Sequence, residues 1–312
     1  MILEIREIYK TIKDNGSLFL RKAVETLAGD CKWEDAPLDR EIAIVACVFL
    51  QMAVELLTKA AIIRKEGIWA ILDNRNKSED SETDLIMNFA KKKIKTAPFW
   101  RLKKFLKQNE EVFHLDKNDW YFMDLFQELR NKLIHLNYNF DENELVDLKT
   151  DMTYVVAHVV PRLIGDGDEN GPAELLISLL GRELYRRLVK YKPYARRMEE
   201  LIRSIDIGRP LTCWDCGNKT FSQENNICLC CNQEYGNAIG FVDCIICGEG
   251  RSVVYDLLNI EANTTLTARC LACDMIFDVR KCRQCGDIFI VDYSVVRDIQ
   301  DAKCPRCELG RA

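Results

Sequence analysis

Hydrophobic residues recur every three or four positions through the first two thirds of the chain, which predicts amphipathic helices. Nothing between residues 1 and 207 alternates polar and apolar residues for long enough to predict a strand. Ser17 and Asn118 are placed to cap two helices, because their side-chain oxygens can accept bonds from free backbone N–H groups. The predicted helices cover residues 2–13, 17–28, 38–66, 99–107, 119–136, 141–163, 172–190 and 193–207.

The pattern changes after residue 208, where helical spacing ends. Short β-branched or aromatic runs take its place at residues 252–255, 263–267 and 288–293. The predicted fold class is therefore an all-α helical bundle followed by a small β-rich region. The domain division predicted from these changes is a helical bundle at 1–165, a helical connector at 166–208 and a cysteine-rich region at 209–312.

Thirteen of the fifteen cysteines lie after residue 210, and twelve of them form six Cys-x2-Cys pairs. This spacing lets one tight turn present two thiolates to a tetrahedral zinc ion. Paired in sequence order, with 11, 22 and 18 residues between partners, they predict three zinc ribbons at about 211–235, 242–277 and 280–309. The predicted ligands are Cys213, Cys216, Cys228, Cys231, Cys244, Cys247, Cys270, Cys273, Cys282, Cys285, Cys304 and Cys307.

Three Zn²⁺ ions, each with four cysteine ligands, are therefore the predicted cofactors. Four thiolates leave no open coordination position, so such ions are structural and supply much of the folding free energy of small modules. Disulfides are the alternative, and nothing in the sequence suggests the secretion that would favour them. Cys230 is predicted to be a spectator, and Cys31 and Cys47 are predicted to be buried small apolar side chains.

Composition describes a globular protein of 312 residues, with 48% hydrophobic and 30% charged residues. The longest apolar run, Ile42–Leu50, is too short to span a bilayer, and the N-terminus is acidic where a signal peptide is basic. We therefore expect no membrane contact and a cytoplasmic location. After residue 207 the chain has 11 Lys and Arg against 14 Asp and Glu, and three tetrathiolate zinc centres would bring the formal charge of −3 to about −9. So acidic a region favours protein partners over nucleic acid.

Basic residues are concentrated between Lys91 and Lys107, with eight Lys or Arg, no acid, and three interleaved aromatics at Phe99, Trp100 and Phe105. Such a mixture can hold a phosphate backbone and stack bases, so charge reversal at Lys103 and Lys104 is expected to weaken RNA binding. A solvated helix face with the aromatics in the core is the alternative.

The run from Glu128 to His135 ends a predicted helix and supplies three candidate catalytic residues, Arg130, Asn131 and His135. An imidazole carries protons near neutral pH, and a guanidinium stabilises a crowded phosphate oxyanion. A solvated helix face that happens to carry an arginine and a histidine is the alternative. The apolar stripe predicted for the core face consists of Phe122, Leu125, Leu129, Leu133 and Leu136. This stripe would leave Arg130 and His135 flanking the outward face, with Ile134 between them as a contact for a partner.

Two of these patches resemble the HEPN superfamily of all-helical ribonuclease domains. Residues 129–135 match its Arg-x4–6-His signature. Residues 49–60 look like the long helix that precedes the signature in many members. The resemblance covers about residues 20–165 at most. On that helix, Glu55 and Lys59 are expected to form an ordinary surface ion pair, with a role for Glu55 in the cleft as the alternative. The zinc ribbons are not part of the family pattern.

The resemblance implies a metal-independent endoribonuclease that acts as a homodimer, commonly as a toxin or antiviral-defence effector. Arg130 would stabilise the phosphorane, His135 would transfer protons, and Asn131 would orient the phosphate or His135. RNA is the implied substrate, and the ribbons would bind a target or an antitoxin.

Two other functions fit the same sequence. One is a non-catalytic dimeric adaptor whose ribbons bind protein or nucleic acid. The other is a transcription-associated zinc-ribbon factor, which the acidic C-terminal region disfavours.

Overall fold

The computed structural model describes residues 2–29, 38–73, 95–135, 140–165, 171–204, 210–222, 225–236, 239–261, 264–294 and 302–308; for residues 2–5 and 133–135 it describes the backbone alone. By its contacts the chain divides into two compact units, Met1–Arg196 and Arg197–Ala312. The sequence-based division at residues 165 and 208 stays a prediction.

Ten α-helices precede residue 205 in the described part of the chain. They are α1 (Ile2–Ala28), α2 (Arg40–Glu66), α3 (Phe99–Gln108), α4 (Glu110–Phe113), α5 (Lys117–His135), α6 (Glu142–Tyr154), α7 (Val160–Ile164), α8 (Pro172–Leu180), α9 (Arg182–Val189) and α10 (Lys192–Ser204). A short 3-10 helix, Ile68–Ile71, follows α2, and a π-helix, Val155–Val159, joins α6 to α7.

α1 is one continuous helix and not the two segments predicted, so Ser17 caps nothing. Gly16 lies in its middle because α1 packs closely on α2 there. A Cβ at Gly16 would come within 2.9 Å of the Leu57 side chain. The gap predicted between the two segments is therefore a close contact between the two longest helices of the described chain.

α2 forms the centre of the first unit. Asp39 caps its N-terminus by accepting a hydrogen bond from the backbone N–H of Glu41, and its buried residues run from Ala43 to Ile63. By length and apolar composition alone, α2 is the one described helix that could cross a membrane, a test that buried core helices also pass. Lys59 and Glu55 form the expected ion pair, 2.6 Å from Nζ to Oε1, but Lys59 is buried and not at the surface as predicted.

The π-helix interrupts what the sequence predicts as one helix over residues 141–163. Pro161 has no N–H, and its ring would clash with the carbonyl four residues earlier in a regular α-helix. One turn before it the backbone widens, so that the Val160 N–H donates to the Val155 oxygen. The predicted helix at 172–190 is likewise broken at Gly181, whose φ of 85° suits glycine.

The second unit carries eight strands among its described residues: β1 (Leu211–Thr212), β2 (Lys219–Ser222), β3 (Ile227–Cys228), β4 (Ile239–Val242), β5 (Val253–Asp256), β6 (Thr265–Cys270), β7 (Ile276–Lys281) and β8 (Ile288–Ile290). β1–β3 form one antiparallel sheet and β4–β8 another, each in sequence order. A short helix, α11 (Pro305–Glu308), ends the described chain.

Apolar side chains between the strands form small cores beside the cysteines. The core of the larger sheet includes Val253, Ala268 and Val279, and it also includes the ligand candidates Cys244 and Cys270. A separate small cluster joins Phe289 and Val291 to three further cysteines. The predicted fold class, a helical part followed by a β-rich part with three four-cysteine clusters, is confirmed.

Candidate functional site

Three groups of four cysteine sulfurs lie in the second unit, and they are the three sets predicted from the sequence. In each group all four Sγ atoms are within 4.8 Å of one another. A tetrahedral zinc ion with Zn–S bonds of about 2.3 Å separates its sulfurs by about 3.8 Å. The Sγ–Sγ distances are 3.8 Å for Cys213–Cys231, 3.7 Å for Cys216–Cys228, 3.8 Å for Cys244–Cys273, 3.8 Å for Cys247–Cys270, 3.8 Å for Cys282–Cys307 and 3.4 Å for Cys285–Cys304.

The first pair of each group is presented by the same backbone turn. Gly217 has a φ of 77°, and its N–H donates to the Cys213 oxygen at 3.0 Å. The same bond recurs from Gly248 to Cys244 and from Gly286 to Cys282, at 3.0 and 2.9 Å. Positive φ favours glycine, which explains why a glycine follows each of these pairs.

In the first two groups the second pair is followed by a residue that also tolerates the left-handed region. Asn232 and Asp274 have φ of 51° and 69°, and their N–H groups donate to the oxygens of Cys228 and Cys270. Asn and Asp adopt this conformation more easily than other residues with a Cβ. In five of the six pairs, therefore, the residue after the pair is one that suits the left-handed turn, whereas Glu308, after the last pair, ends the short helix α11.

Hydrogen bonds from neighbouring groups favour the thiolate form at two of the sites. Burial raises the pKa of Cys270, but the Ser252 hydroxyl, 3.3 Å from its Sγ, and nearby backbone N–H groups outweigh burial and lower the pKa to about 7. At Cys282, burial likewise raises the pKa, and backbone N–H groups lower it to about 6. Zinc binds thiolates, so these contacts prepare the sites for the metal.

These residues fit three structural zinc ions, as the sequence predicted. Each group offers four sulfurs, which complete the coordination of the ion and leave no position for a substrate. Cys230 is buried outside the groups and accepts a hydrogen bond from Asn218 Nδ2 at 3.1 Å. Cys47 is buried as predicted, and Cys31 lies outside the described residues.

The helix with the candidate catalytic residues, α5, is capped by Asp116 and not by Asn118. The Asp116 carboxylate accepts bonds from the backbone N–H groups of Asn118 and Asp119, at 2.8 and 3.1 Å. Asn118 cannot do this, because it already stands in the first turn of the helix. The boundary prediction failed because two polar residues suited to capping lie two positions apart.

The buried face of α5 is turned by roughly 90° from the predicted apolar stripe. Phe122 of that stripe is buried as predicted, but Leu125 and Leu129 are only half-buried, and the side chains of Leu133 and Leu136 lie outside the described residues. The rest of the buried face is made of Asp119, Trp120, Met123 and Phe126. The prediction failed because Asp119 lies at the centre of the buried face. A helical wheel assigns charged residues to the solvent side and cannot recognise a carboxylate that is paired inside the fold.

Arg130 falls on this buried face, one turn beyond Phe126. It is half-buried, and its Nη1 donates to Asn131 Oδ1 at 2.8 Å. Burial raises the pKa of Cys47 to about 12, and the positive charge of Arg130 works against that rise. Arg130 therefore lies closer to the buried face than predicted, while its half-exposed side chain and its catalytic role remain compatible with the prediction.

Asn131 is exposed, and His135 is the last residue of α5. The side chains of His135 and Ile134 lie outside the described part of the structure. Around an ideal helix, Arg130 and His135 point in directions roughly 140° apart.

A buried polar cluster near the start of α5 was missed by the sequence analysis. Asp119 is fully buried, and Arg162 of α7 pairs with it and with Asp116, the latter at 3.2 Å. Arg162 also donates to the His114 carbonyl oxygen at 2.6 Å. Burial raises the pKa of Asp119 to about 6, with Arg162 as the strongest opposing influence. The signal in the sequence was an aspartate placed among apolar residues on a helix.

Aromatic rings extend this cluster through the π-helix. The ring of Tyr154 stacks on Phe122 at 3.8 Å and on His158 at 4.3 Å between centroids. His158 Nε2 lies 3.0 Å from the Tyr194 hydroxyl. These contacts join α5, the π-helix and α10 in the core of the first unit and are structural in character.

The residues of the predicted basic stretch, Lys91–Lys107, do not share one environment in the structure. Lys91, Lys92 and Lys93 lie outside the described residues. Lys103 is 17% exposed and binds Asp124 and, at 2.9 Å, Gln127, so its charge is used within the fold. Phe99 and Phe105 are half-buried, whereas Trp100 is exposed.

Comparison with known proteins identifies no relative: no family model, no curated protein and no solved structure matches the chain.

Proposed function

We propose that the chain is a metal-independent endoribonuclease of the HEPN type, acting as a toxin or antiviral-defence effector. The observation that supports this most is the spacing Arg130-x4-His135 in the last turns of α5, with the Arg130 guanidinium bonded to Asn131. A guanidinium held by both packing and a side-chain bond is preorganised to meet a phosphate.

Cleavage would begin with attack of the RNA 2′-hydroxyl on the adjacent phosphorus. His135 accepts the hydroxyl proton or supplies a proton to the departing 5′-oxygen, and solvent water exchanges the other of these two protons. Arg130 stabilises the charge of the phosphorane, and Asn131 orients the phosphate or His135. The P–O5′ bond breaks as the P–O2′ bond forms. The products are a 2′,3′-cyclic phosphate and a 5′-hydroxyl end. The three zinc ions, each with four thiolates, hold the ribbons and take no part in this chemistry.

The angle between Arg130 and His135 on α5 favours a homodimer. One helix directs the two side chains about 140° apart, and a second copy of α5 could place its own His135 beside the Arg130 of the first. Ile134, between the two, is the residue we propose at the centre of this interface, and the two active sites would then form only in the dimer.

The test is RNA cleavage by zinc-loaded full-length protein in buffer with EDTA, with the zinc content measured before and after. Arg130→Ala and His135→Ala should each lower the rate by about 10²–10⁴-fold. Two controls are matched: Lys132→Ala removes a different cation from α5, and His114→Asn removes a different histidine at a left-handed position that Asn tolerates. Cleavage that survives both Arg130→Ala and His135→Ala would refute the nuclease.

The second candidate function, a non-catalytic adaptor, is favoured by an exposed apolar group in the ribbons. Ile245 and Ile246 lie in the turn between two ligands of the second zinc site, and Met275 and Ile276 follow its last ligand; all four are exposed. Such a group is typical of a protein contact. This function predicts a stable protein complex without RNA products, unaffected by His135→Ala and lost in Ile246→Asp.

A further inference from the structure

The helix α3 presents a basic and aromatic face to solvent. Leu102 and Leu106 are buried, and on the opposite side Trp100, Lys104 and Lys107 are exposed. Trp100 is 69% exposed, although burying a tryptophan is normally favourable. The helix also contains no acidic residue. A large exposed aromatic ring on a basic helix is typical of a ligand-binding surface.

The three exposed residues form one row along the helix. They are spaced four and three residues apart, so Lys104 and Lys107 follow Trp100 by roughly 6 and 10 Å along the axis and point in nearly the same direction. Within the described part of the chain, neither lysine has a carboxylate at ion-pair distance. Lys107 lies 6.0 Å from the centre of the Trp120 ring, a contact that leaves its charge intact.

This row is held in a fixed position relative to α5. Lys103, on the neighbouring side of α3, binds Asp124 and Gln127 of α5. Asp124 and Arg130 are six residues apart on α5, which corresponds to about 9 Å along its axis. Residues of this basic stretch therefore have two roles. Lys103 connects α3 to α5, whereas Trp100, Lys104 and Lys107 are accessible to a ligand.

We propose that Trp100, Lys104 and Lys107 form a docking platform for single-stranded RNA, on which one base stacks against Trp100 while the two lysines contact successive phosphates. The proposal rests on the proposed ribonuclease function and names its substrate class. Stacking needs an unpaired base with an accessible face, so the platform selects single strands over duplexes. It does not select a sequence, because every base has such a face.

The test measures affinity with probes that cannot be cleaved. The full-length zinc-loaded protein is titrated into a fluorescent oligothymidylate of about 12 nucleotides, which lacks the 2′-hydroxyl, and then into the RNA of the same length in a His135→Ala background. Trp100→Ala should weaken binding by about 5-fold to 150-fold, and Trp100→Phe should recover part of the loss. Lys104→Ala should reduce the salt dependence of binding by about 0.7 in log–log slope.

Matched controls remove similar groups from other helices of the same unit. Leu18→Ala removes exposed apolar surface from α1, and Lys65→Ala removes an exposed lysine from the end of α2. Neither should change the affinity. Circular dichroism and zinc content of every variant establish that the chain is folded.

The outcomes separate this proposal from the nuclease. If RNA is cut in an Arg130-dependent way and Trp100→Ala binds both oligonucleotides as well as the wild type, the platform is refuted and the nuclease stands. If Trp100→Ala and Lys104→Ala weaken binding and no RNA is ever cut, the platform stands and the nuclease falls. Binding to anionic lipid vesicles that needs Trp100, with no oligonucleotide binding, would also overturn the platform.

Discussion

Replacing Arg162 with alanine should destabilise the first unit more than any exposed charge removal. Asp119 is 0% exposed, and Arg162 is the cation that faces it. The substitution leaves a carboxylate in the core with only the Asp116 backbone N–H and the weaker contact from the Tyr154 hydroxyl at 3.4 Å. It also removes the donor to the His114 carbonyl.

The magnitude follows from these contacts. Breaking a buried ion pair by removing one partner costs about 3–5 kcal/mol, because the remaining charge loses its compensation. The lost bond to His114 adds about 1 kcal/mol. Asp119 can escape the penalty by taking up a proton, and its pKa is already raised to about 6. The cost of Arg162→Ala should therefore be largest above pH 7 and should shrink as the pH falls below 6.

The assay is a double-mutant cycle of Arg162→Ala and Asp119→Asn, measured by urea unfolding of zinc-loaded protein at pH 7.5 and pH 5.5. Asn has nearly the shape of Asp without the charge, so the double variant should be more stable than Arg162→Ala alone. Arg187→Ala breaks an exposed ion pair with Glu183 and is the control, with an expected cost of about 0.3–0.5 kcal/mol. A cost below about 1 kcal/mol for Arg162→Ala at pH 7.5, or a double variant no more stable than the single one, would refute the reasoning.

Two further predictions follow from the same contacts. Asp119 keeps its proton in the folded chain up to a pKa of about 6 but loses it near 3.8 when unfolded. Stability should therefore fall by about 3 kcal/mol as the pH rises from 3 to 7, and Asp119→Asn should remove this share of the pH dependence, seen as the difference between the two unfolding curves at each pH. Among the cysteines, Cys270→Ser should lower the bound zinc from three ions per chain to two and unfold the second ribbon, whereas Cys230→Ser should keep all three, as measured by mass spectrometry under native conditions; equal zinc loss in both variants would contradict the ligand assignment.

The parts of the fold that could be predicted are those fixed by local chemistry. The Cys-x2-Cys pairs determined the zinc groups because the turn that presents two thiolates is built from adjacent residues, and Gly217 and its equivalents mark that turn in the sequence. The long helix α2 was predicted within two residues at its start because its apolar residues recur at helical spacing throughout, and the structure shows that Asp39 caps it.

The errors arose where tertiary contacts override a local pattern. Ser17 was predicted to cap a second helix, yet the preceding Gly16 lies inside one continuous helix, where the close approach of Leu57 favours glycine. The buried face of α5 includes Asp119 because Asp119 pairs with Arg162, which is 43 residues away from it in the chain. No periodicity within α5 contains that information, so a helical wheel centred on the leucines placed Arg130 farther from the buried face than the structure does.

Charge in this chain limits how it can hold RNA, and that limit agrees with an enzyme better than with a tight RNA binder. The whole chain has a net charge of −5, and zinc-loaded ribbons are more acidic still. Long-range attraction for a polyanion is therefore weak, and binding must depend on local contacts. The proposed platform, with two exposed lysines and one tryptophan, would supply a salt slope of only about −1.4, far from the slope of about −10 shown by a protein that contacts many phosphates. With so few contacts the RNA would dissociate quickly, so cleaved ends would not block the proposed site. A nuclease that cuts many strands needs this rapid release, whereas an adaptor that sequesters RNA would require a larger basic surface.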